Sequence, residues 1–269
     1  MNILHLSDTH GAHRSLGMLP EADVIVHSGD IAMNGSSSEA LDFMRWFSAL
    51  PYAHKIFVAG NHDACLYGAV IDGLDSNCHY LCNSSVEIDG VTFYGGPMFM
   101  EDCSSGRHQK EFYEMIPDGV DVLITHAPPY GILDRDGSIH YGSYELLSRV
   151  TAVRPRIHLF GHIHKANGLK ERGGTVFSNA AGISAIISVQ VKSAWMKDCC
   201  QYIPLLGKKS CKPREKACEQ KEYEPNHDTK NSNQDTSFKS ISIYLRQCFR
   251  IVLYVAYNLK ITSFVGTME

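Results

Sequence analysis

Five short, largely apolar segments, each ending abruptly in a polar motif, most constrain the fold of this 269-residue chain. The segments are four or five residues long and rich in β-branched side chains, which is typical of strands. They are residues 2–6, 22–26, 55–58, 120–124 and 156–160. Their near-continuous apolar character indicates strands that are covered on both faces. The sequence therefore predicts an α/β fold.

The polar motifs that follow these segments contain the residue types that bind divalent metals. In chain order they are Asp8-Thr-His10, Gly29-Asp30, Gly60-Asn61-His62-Asp63, His126 and Gly161-His162-Ile-His164. Carboxylate and amide oxygens and imidazole nitrogens are ligands of hard and borderline divalent metals. Because sites in open α/β sheets lie beyond the carboxyl ends of strands, we expect the motifs to converge there. The pattern indicates a binuclear metal hydrolase.

Each motif taken alone has an ordinary structural explanation. Asp8 could cap a turn, Gly29 and Asp30 are common turn residues, and His126 could be a buried strand-end histidine. The pair His162 and His164 is a stronger signal, since alternate residues of an extended segment point the same way. The joint occurrence of all five motifs, in order and at strand ends, favours a metal centre.

These motifs resemble the signature of the calcineurin-like metallophosphoesterase superfamily. They are most similar to those of its small metallophosphoesterase-domain, class III-like phosphodiesterases. The resemblance extends from residue 1 to about residue 182 and includes residues 125–131, 140–147, 154–164 and 175–180. It implies a four-layer α/β/β/α sandwich with two central mixed sheets.

The resemblance also implies which residues hold the two metals. The first metal would be held by Asp8, His10 and His164, the second by Asn61, His126 and His162, and Asp30 would bridge them. His62 would face the scissile phosphate, and Asp63 would hydrogen-bond His62 and fix its tautomer. No cysteine is implied as a ligand.

A binuclear phosphodiesterase is the activity that this interpretation predicts. A metal-bridging hydroxide would attack the phosphodiester, and His62 would protonate the leaving alkoxide or stabilise its charge. Mn²⁺ is the expected metal, although Fe, Zn, Co and Ni also suit mixed nitrogen and oxygen ligands. The alternatives are a phosphomonoesterase or protein phosphatase, and a non-catalytic metal-binding interaction scaffold.

The uneven distribution of charge along the chain bears on the size of the substrate. Residues 189–269 hold 13 basic and 8 acidic residues, a net of +5, whereas residues 1–188 carry −9. An acidic catalytic part disfavours binding to long nucleic acids, whose phosphates attract basic surfaces. We therefore expect a small phosphoester or a cyclic nucleotide as substrate. His140, Arg14, Arg107 and Tyr130 could contact it.

The chain is predicted to contain a phosphoesterase domain over residues 1–188 and a partly disordered tail over residues 189–269. Residues 208–237 are polar and rich in lysine, which is typical of disorder. Residues 241–265 fit a basic amphipathic helix that could contact a membrane surface, or a helix or strand that completes the core. No closing strand is evident after Ala180.

A cytoplasmic location is expected from two features. The apolar start is too short for a secretory signal. The nine cysteines show no C-x-x-C spacing and no regular disulfide framework.

Within the domain, residues 36–50 predict a serine-capped helix and residues 86–94 a hairpin around Asp89-Gly90.

Overall fold

All five predicted segments form strands in the computed structural model, which describes residues 1–100, 107–182, 187–191 and 242–245. The strands are β1 (Asn2–Leu6), β2 (Val24–His27), β3 (His54–Phe57), β4 (Ala69–Asp72), β5 (Cys78–Tyr80), β6 (Ser84–Ile88), β7 (Val91–Gly96), β8 (Val122–Thr125), β9 (Arg135–Asp136), β10 (Ile139–His140), β11 (Ile157–Phe160), β12 (Gly168–Arg172), β13 (Thr175–Asn179), β14 (Ile187–Gln190) and β15 (Ser242–Leu245). The helices are α1 (Ser37–Ser48), α2 (Arg107–Glu114) and α3 (Tyr144–Val153), with 3-10 turns at His13–Ser15, Ala64–Leu66 and His164–Ala166.

Two mixed sheets form the centre of the fold. The first has the order β14-β1-β2-β3-β5, and the second has the order β12-β13-β11-β8-β7-β6. In each sheet four strands run parallel, and an antiparallel strand pairs at one edge of the first sheet and at both edges of the second. The five strands that precede the motifs all lie in the interior of their sheets, with a neighbour on each side.

Three buried apolar clusters show how the layers pack. One joins the facing sides of the two sheets and includes Ile3 and Val26 from the first and Phe93 and Leu159 from the second. A second cluster packs the outer side of the first sheet against α1, and a third packs the outer side of the second sheet against α3. The α/β fold with two mixed sheets is confirmed, and the clusters support the predicted helix-sheet-sheet-helix order.

Local sequence signals account for α1 and for the hairpin. Ser36 Oγ accepts a hydrogen bond from Glu39 N, and the Glu39 carboxylate accepts one from Ser36 N, which is a complete capping box. Asp89 and Gly90 both have positive φ (50° and 72°), as the tight turn between β6 and β7 requires. Both predicted elements are confirmed.

The chain after residue 182 departs from expectation in two places. β14 pairs antiparallel with β1 and supplies the closing strand that the sequence did not reveal. Residues 242–245 form β15, which pairs with β4, so the amphipathic helix is wrong for these four residues. The rest of residues 241–265, and residues 208–237, lie outside the described residues. The boundary at residue 188 stays a prediction, and β14 extends two residues beyond it.

Within the part of the chain that the structure describes, no helix is long and apolar enough to cross a membrane.

Buried histidines connect the two sheets beneath the motif loops. His5 of β1 hydrogen-bonds Ser28 after β2 through Nε2 (2.9 Å) and Ser178 of β13 through Nδ1 (2.8 Å). His158 of β11 lies 2.9 Å from Thr125 Oγ1, whose own hydroxyl donates to the carbonyl of Ala127. Burial lowers the pKa of both His5 and His158 to about 3, with His27 adding to the effect on His5. Both rings are therefore neutral in the folded protein at neutral pH.

Acid should destabilise the metal-free protein through these histidines. The unfolded chain takes up a proton near pH 6.5, but folded His158 does not until about pH 3, so stability falls as pH drops through this window. The loss is about 1.4 kcal/mol per pH unit for each such histidine, or about 2 kcal/mol between pH 6.5 and pH 5. In H158Q the free energy of unfolding, measured in urea, should fall about 2 kcal/mol less over that interval. Parallel pH profiles for the two proteins would contradict the assignment.

Candidate metal centre

The candidate site lies where the carboxyl ends of strands from both sheets meet. Asp8, Asp30 and Asn61 follow β1, β2 and β3 of the first sheet, whereas His126 and His162 follow β8 and β11 of the second. Main-chain bonds join these loops within each sheet: Asp8 N donates to the Gly29 carbonyl, and Gly161 N donates to the His126 carbonyl. The loops therefore converge from two sheets rather than along a single edge.

One cluster of possible ligand atoms contains Asp8, His10 and His164, all within 4.8 Å of one another. His164 Nε2 lies 3.3 Å from Asp8 Oδ1 and 3.4 Å from His10 Nε2. The two imidazole rings stack with an interplanar angle of 16°. Two ring nitrogens and one carboxylate oxygen thus face a common point, as in a metal site.

A second cluster contains Asp30, His126 and His162, again within 4.8 Å. His126 Nε2 lies 3.3 Å from Asp30 Oδ2 and 3.1 Å from Asn61 Oδ1. Its Nδ1 hydrogen-bonds the Ser28 carbonyl (2.9 Å), which orients the ring and leaves Nε2 facing the cluster. All four residues predicted around the second metal are therefore close together.

Asp30 lies between the two clusters. Its Oδ2 is 3.3 Å from His126 Nε2 and 3.8 Å from His10 Nε2, while its Oδ1 accepts a hydrogen bond from His62 N (2.8 Å). A carboxylate that approaches ligands of both clusters occupies the position expected of a bridging ligand. The structure thus brings together all seven residues predicted to hold metal.

The electrostatics of the clusters favour a cation. Burial alone would disfavour a charged His126, but the Asp30 and Asp8 carboxylates outweigh it and raise the pKa of His126 to about 10. Burial, together with His126, lowers the pKa of His162 to about 4. The carboxylates therefore attract positive charge, and a divalent ion at these nitrogens would take the place of a proton.

The backbone around the ligands has unusual conformations. Asp8, His10, Asp30 and His162 all have positive φ, between 46° and 72°. Such values are uncommon outside glycine and cluster at functional sites, where the surrounding structure enforces them. The strand-end turns that carry the ligands are therefore imposed by packing against the sheets.

Motif glycines permit the close approach of the loops. A Cβ at Gly161 would overlap Ser7 Oγ and Asp8 Oδ2, and a Cβ at Gly60 would overlap the Asp30 carboxylate and backbone. A Cβ at Gly29 would overlap His126 Nδ1 and the Gly60 backbone. These three glycines are needed because each lies against a ligand from another loop.

One predicted contact is wrong. Asp63 does not hydrogen-bond His62. Its fully buried carboxylate accepts bonds from the main-chain nitrogens of Gly60, Ile31 and Ala32 (2.8–3.2 Å). His62 Nδ1 instead bonds the Met33 carbonyl at 2.9 Å. Because these three main-chain donors occupy its oxygens, Asp63 joins the loop after β2 to the loop after β3 and does not hydrogen-bond the His62 ring. Burial and the nearby Asp30 carboxylate raise the pKa of Asp63 to about 7.

Other candidates for substrate contact are placed differently from one another. The Arg14 guanidinium donates two hydrogen bonds to the Asp42 carboxylate (2.7 and 3.3 Å). Tyr130 stacks on Tyr144 with ring centroids 3.7 Å apart. The side chain of Arg107 lies outside the described part of the chain.

Asn179 is a supporting residue that sequence reasoning missed. Its amide nitrogen donates to the carbonyls of Leu133 (2.9 Å) and Ile163 (3.1 Å), and its Oδ1 accepts from Ala181 N. It therefore fixes the turn between His162 and His164 and joins it to the loop that follows His126. A strand-end asparagine within residues 175–180 was the only signal available in the sequence.

A model of the calcineurin-like phosphoesterase family matches residues 1–166. The chain belongs to this family. UPF0046 protein C25E10.12 of Caenorhabditis elegans is 37% identical over 205 residues, covering 65% of this chain and 73% of that protein. Human metallophosphoesterase domain-containing protein 1 is 35% identical over 210 residues, covering 65% of this chain and 64% of that protein. The crystal structure of TT1561 from Thermus thermophilus, at 15% identity, shares the fold with a TM-score of 0.51 over 70% of this chain and 93% of that one.

Family membership and donor chemistry agree. The two clusters contain carboxylate oxygens and imidazole nitrogens, which together suit divalent transition metals. Family membership makes the chain a metal-dependent phosphoesterase, and the described residues provide candidate ligands for the metal ions.

Replacing Gly161 should impair metal binding without removing a ligand. In G161A the new methyl group would displace Asp8 from the His162-His164 turn, so Mn²⁺ affinity measured by isothermal titration should fall about 10–100-fold. G96A is the matched control, because its methyl group would meet only ordinary contacts at 3.8–4.0 Å. Equal affinities in the two variants would argue against close packing as the reason for Gly161.

Proposed function

We propose that the chain hydrolyses phosphodiesters of small molecules at a binuclear metal centre. The position of Asp30 carries the proposal, because its carboxylate approaches ligands of both clusters. In two-metal hydrolases the ions lie about 3.5–4 Å apart, a separation that one carboxylate spans. When bound, the two ions would supply an activated water nucleophile and Lewis acidity toward the phosphate. Mn²⁺ is the metal we favour, with Fe, Zn, Co and Ni as alternatives that the ligands also suit.

The protein's own residues divide the remaining work. Asp8, His10 and His164 would hold one ion, and Asn61, His126 and His162 the other. His62 is the group we assign as proton donor to the leaving alkoxide. Its ring lies edge-on to His10, with centroids 4.8 Å apart, and the Met33 carbonyl occupies Nδ1. Nε2 is thereby left for the substrate.

The volume of the cavity at the site supports a small substrate. A cavity of about 410 Å³ lies over the first cluster and is lined by Asp8, His10, Met33 and His164. This volume falls within the range of small-molecule sites. Together with the acidic balance of residues 1–188, it favours a small phosphodiester over long nucleic acid.

An aromatic group on the segment after β8 supports a substrate that carries a base. Tyr130 lies between Tyr144 (3.7 Å) and His140 (4.9 Å), and buried Asp134 holds His140 Nδ1 at 2.8 Å. Asn179 ties the adjoining Leu133 to the metal-ligand turn. The Tyr144 side chain is exposed. Exposed aromatic faces stack nucleobases, so cyclic nucleotides are the first substrates to test.

We also propose a cytoplasmic setting. The supporting observation is that Cys65, Cys78 and Cys82 are free thiols, as a reducing compartment maintains them. Contact of the tail with a membrane surface stays a proposal without support from the described residues.

Substrate preference tests the proposal directly. Metal-stripped protein should be inactive, and added Mn²⁺ should restore hydrolysis of bis-p-nitrophenyl phosphate in preference to p-nitrophenyl phosphate. The reason is that a phosphodiester carries one negative charge and a phosphomonoester carries up to two. The diester therefore binds between the two cations without the cost of desolvating a second charged oxygen. Asp30→Asn is the control. It replaces the proposed bridging carboxylate with a neutral amide, so added Mn²⁺ should no longer restore hydrolysis. A monoester preference would favour a phosphatase, and inactivity with two bound ions would favour a scaffold.

Loss of His62 should affect poor leaving groups most. His62→Ala should retain both metals and lose about 10²–10⁴-fold in kcat on a cyclic nucleotide, whose leaving group is an alkoxide that needs a proton. The loss on bis-p-nitrophenyl phosphate should be much smaller, because p-nitrophenolate leaves unaided. His79→Ala, in the edge strand β5 and outside the five motifs, is the matched control. Equal losses on both substrates would contradict the acid role.

A further inference from the structure

We propose that Glu39 is a positioning residue for His62, acting through the main chain of residues 33–36. Glu39 belongs to α1 and is not one of the motif residues. The inference rests on the proposed role of His62 and deepens it, because it names what holds the imidazole in place now that Asp63 is excluded.

The Glu39 carboxylate holds the whole loop that precedes α1. Its Oε1 accepts hydrogen bonds from Met33 N and Asn34 N, both at 3.2 Å. Its Oε2 accepts from Ser36 N (3.1 Å), from Ser36 Oγ (2.7 Å) and again from Asn34 N (3.2 Å). The Ser36 hydroxyl and these amides keep the pKa of Glu39 below its usual value. An ionised carboxylate thus collects three main-chain donors, each strengthened by its charge.

A helix cap alone does not require all of these contacts. A capping box needs the N3 carboxylate to accept only from the N-cap nitrogen, which here is Ser36 N. Met33 and Asn34 lie before the cap, so their bonds to Glu39 add nothing to the first turn of α1. They instead fix the orientation of the peptide units on either side of Met33.

Met33 is the residue that contacts His62. Its carbonyl accepts the hydrogen bond from His62 Nδ1 at 2.9 Å. The loop also packs directly on the segment after His62, since Cys65 N donates to the Gly35 carbonyl and a Cβ at Gly35 would overlap the His62 carbonyl. Any shift of the Met33 peptide would therefore move or release the His62 ring.

Two carboxylates hold the loop, and Met33 directly follows the two residues that Asp63 holds. Asp63 accepts from Ile31 N and Ala32 N, and Glu39 accepts from Met33 N and Asn34 N. Four successive main-chain nitrogens are thereby fixed by side chains. The carbonyl of Met33 is left to orient His62 with little freedom.

The Glu39→Gln variant tests the proposal. Whichever oxygen is replaced, the new amide group would point its hydrogens at main-chain donors, so the loop must shift. We expect kcat on a 2′,3′-cyclic nucleotide to fall about 10–100-fold, the scale of a misplacement of about 1 Å. KM and the affinity for two Mn²⁺ ions should change less than about threefold, because only a contact made in the transition state is lost. The kcat on bis-p-nitrophenyl phosphate should also change less than about threefold, because p-nitrophenolate leaves without a proton.

Ser36→Ala is the matched control for helix stability. It removes the hydroxyl that caps Glu39 N, together with the bond from that hydroxyl to Oε2, but leaves the three main-chain donors of the carboxylate, Met33 N, Asn34 N and Ser36 N, in place. Both variants should lower Tm by a few degrees, yet only Glu39→Gln should lose turnover on the alkoxide substrate. The same kinetic loss in Ser36→Ala would assign the effect to the helix and overturn the proposal.

A double-mutant cycle separates this inference from the function on which it rests. In the His62→Ala background, Glu39→Gln should cause no further loss, because it acts through the missing imidazole. A further loss of about tenfold or more there would overturn the proposal. Wild-type kinetics in Glu39→Gln, alongside a clear His62→Ala defect, would overturn it and leave the role of His62 intact. A His62→Ala variant without leaving-group dependence would overturn both.

Discussion

The contact between Asp8 and the turn that carries His162 is the interaction on which the site depends. Asp8 follows β1 of one sheet, yet both its oxygens accept from His162 N, at 3.0 and 3.2 Å, at the end of β11 in the other. Burial of this carboxylate would raise its pKa, but bonds from His164, Ser7 and the His162 main chain keep the pKa below its ordinary value. A buried charge held by partners from both sheets fixes the separation of the two ligand sets.

This contact constrains the backbone on both sides. Gly161 must lack a side chain because Ser7 and Asp8 occupy the space where its Cβ would lie. Asp8 and His162 both adopt positive φ, a conformation that costs energy outside glycine. The apolar cluster between the sheets supplies the packing that holds these turns, and His5 adds a polar link through Ser28 and Ser178. The ligands are thus preorganised by the core.

Residues outside the set of candidate ligands fix the finer geometry. The Ser28 carbonyl orients His126, Asn179 fixes the turn around Ile163, and Met33 orients His62. Each of these partners acts through a main-chain carbonyl or a buried amide. A calcineurin-like phosphoesterase of this architecture can therefore keep its candidate ligand types while loop contacts tune the orientation of the neighbouring His62.

The sequence by itself determined the strands, the ligand types and their order, because strand-end motifs and short apolar runs are local features. It also indicated α1 and the hairpin at Asp89-Gly90 from local capping and turn chemistry. Only the tertiary structure decided that the ligands come from two sheets, that Asp63 bonds main-chain amides rather than His62, and that β14 closes the first sheet. Those facts depend on which groups compete for each buried donor and acceptor. Partners more than a hundred residues apart, such as Asp8 and His162, become neighbours only once the sheets have packed.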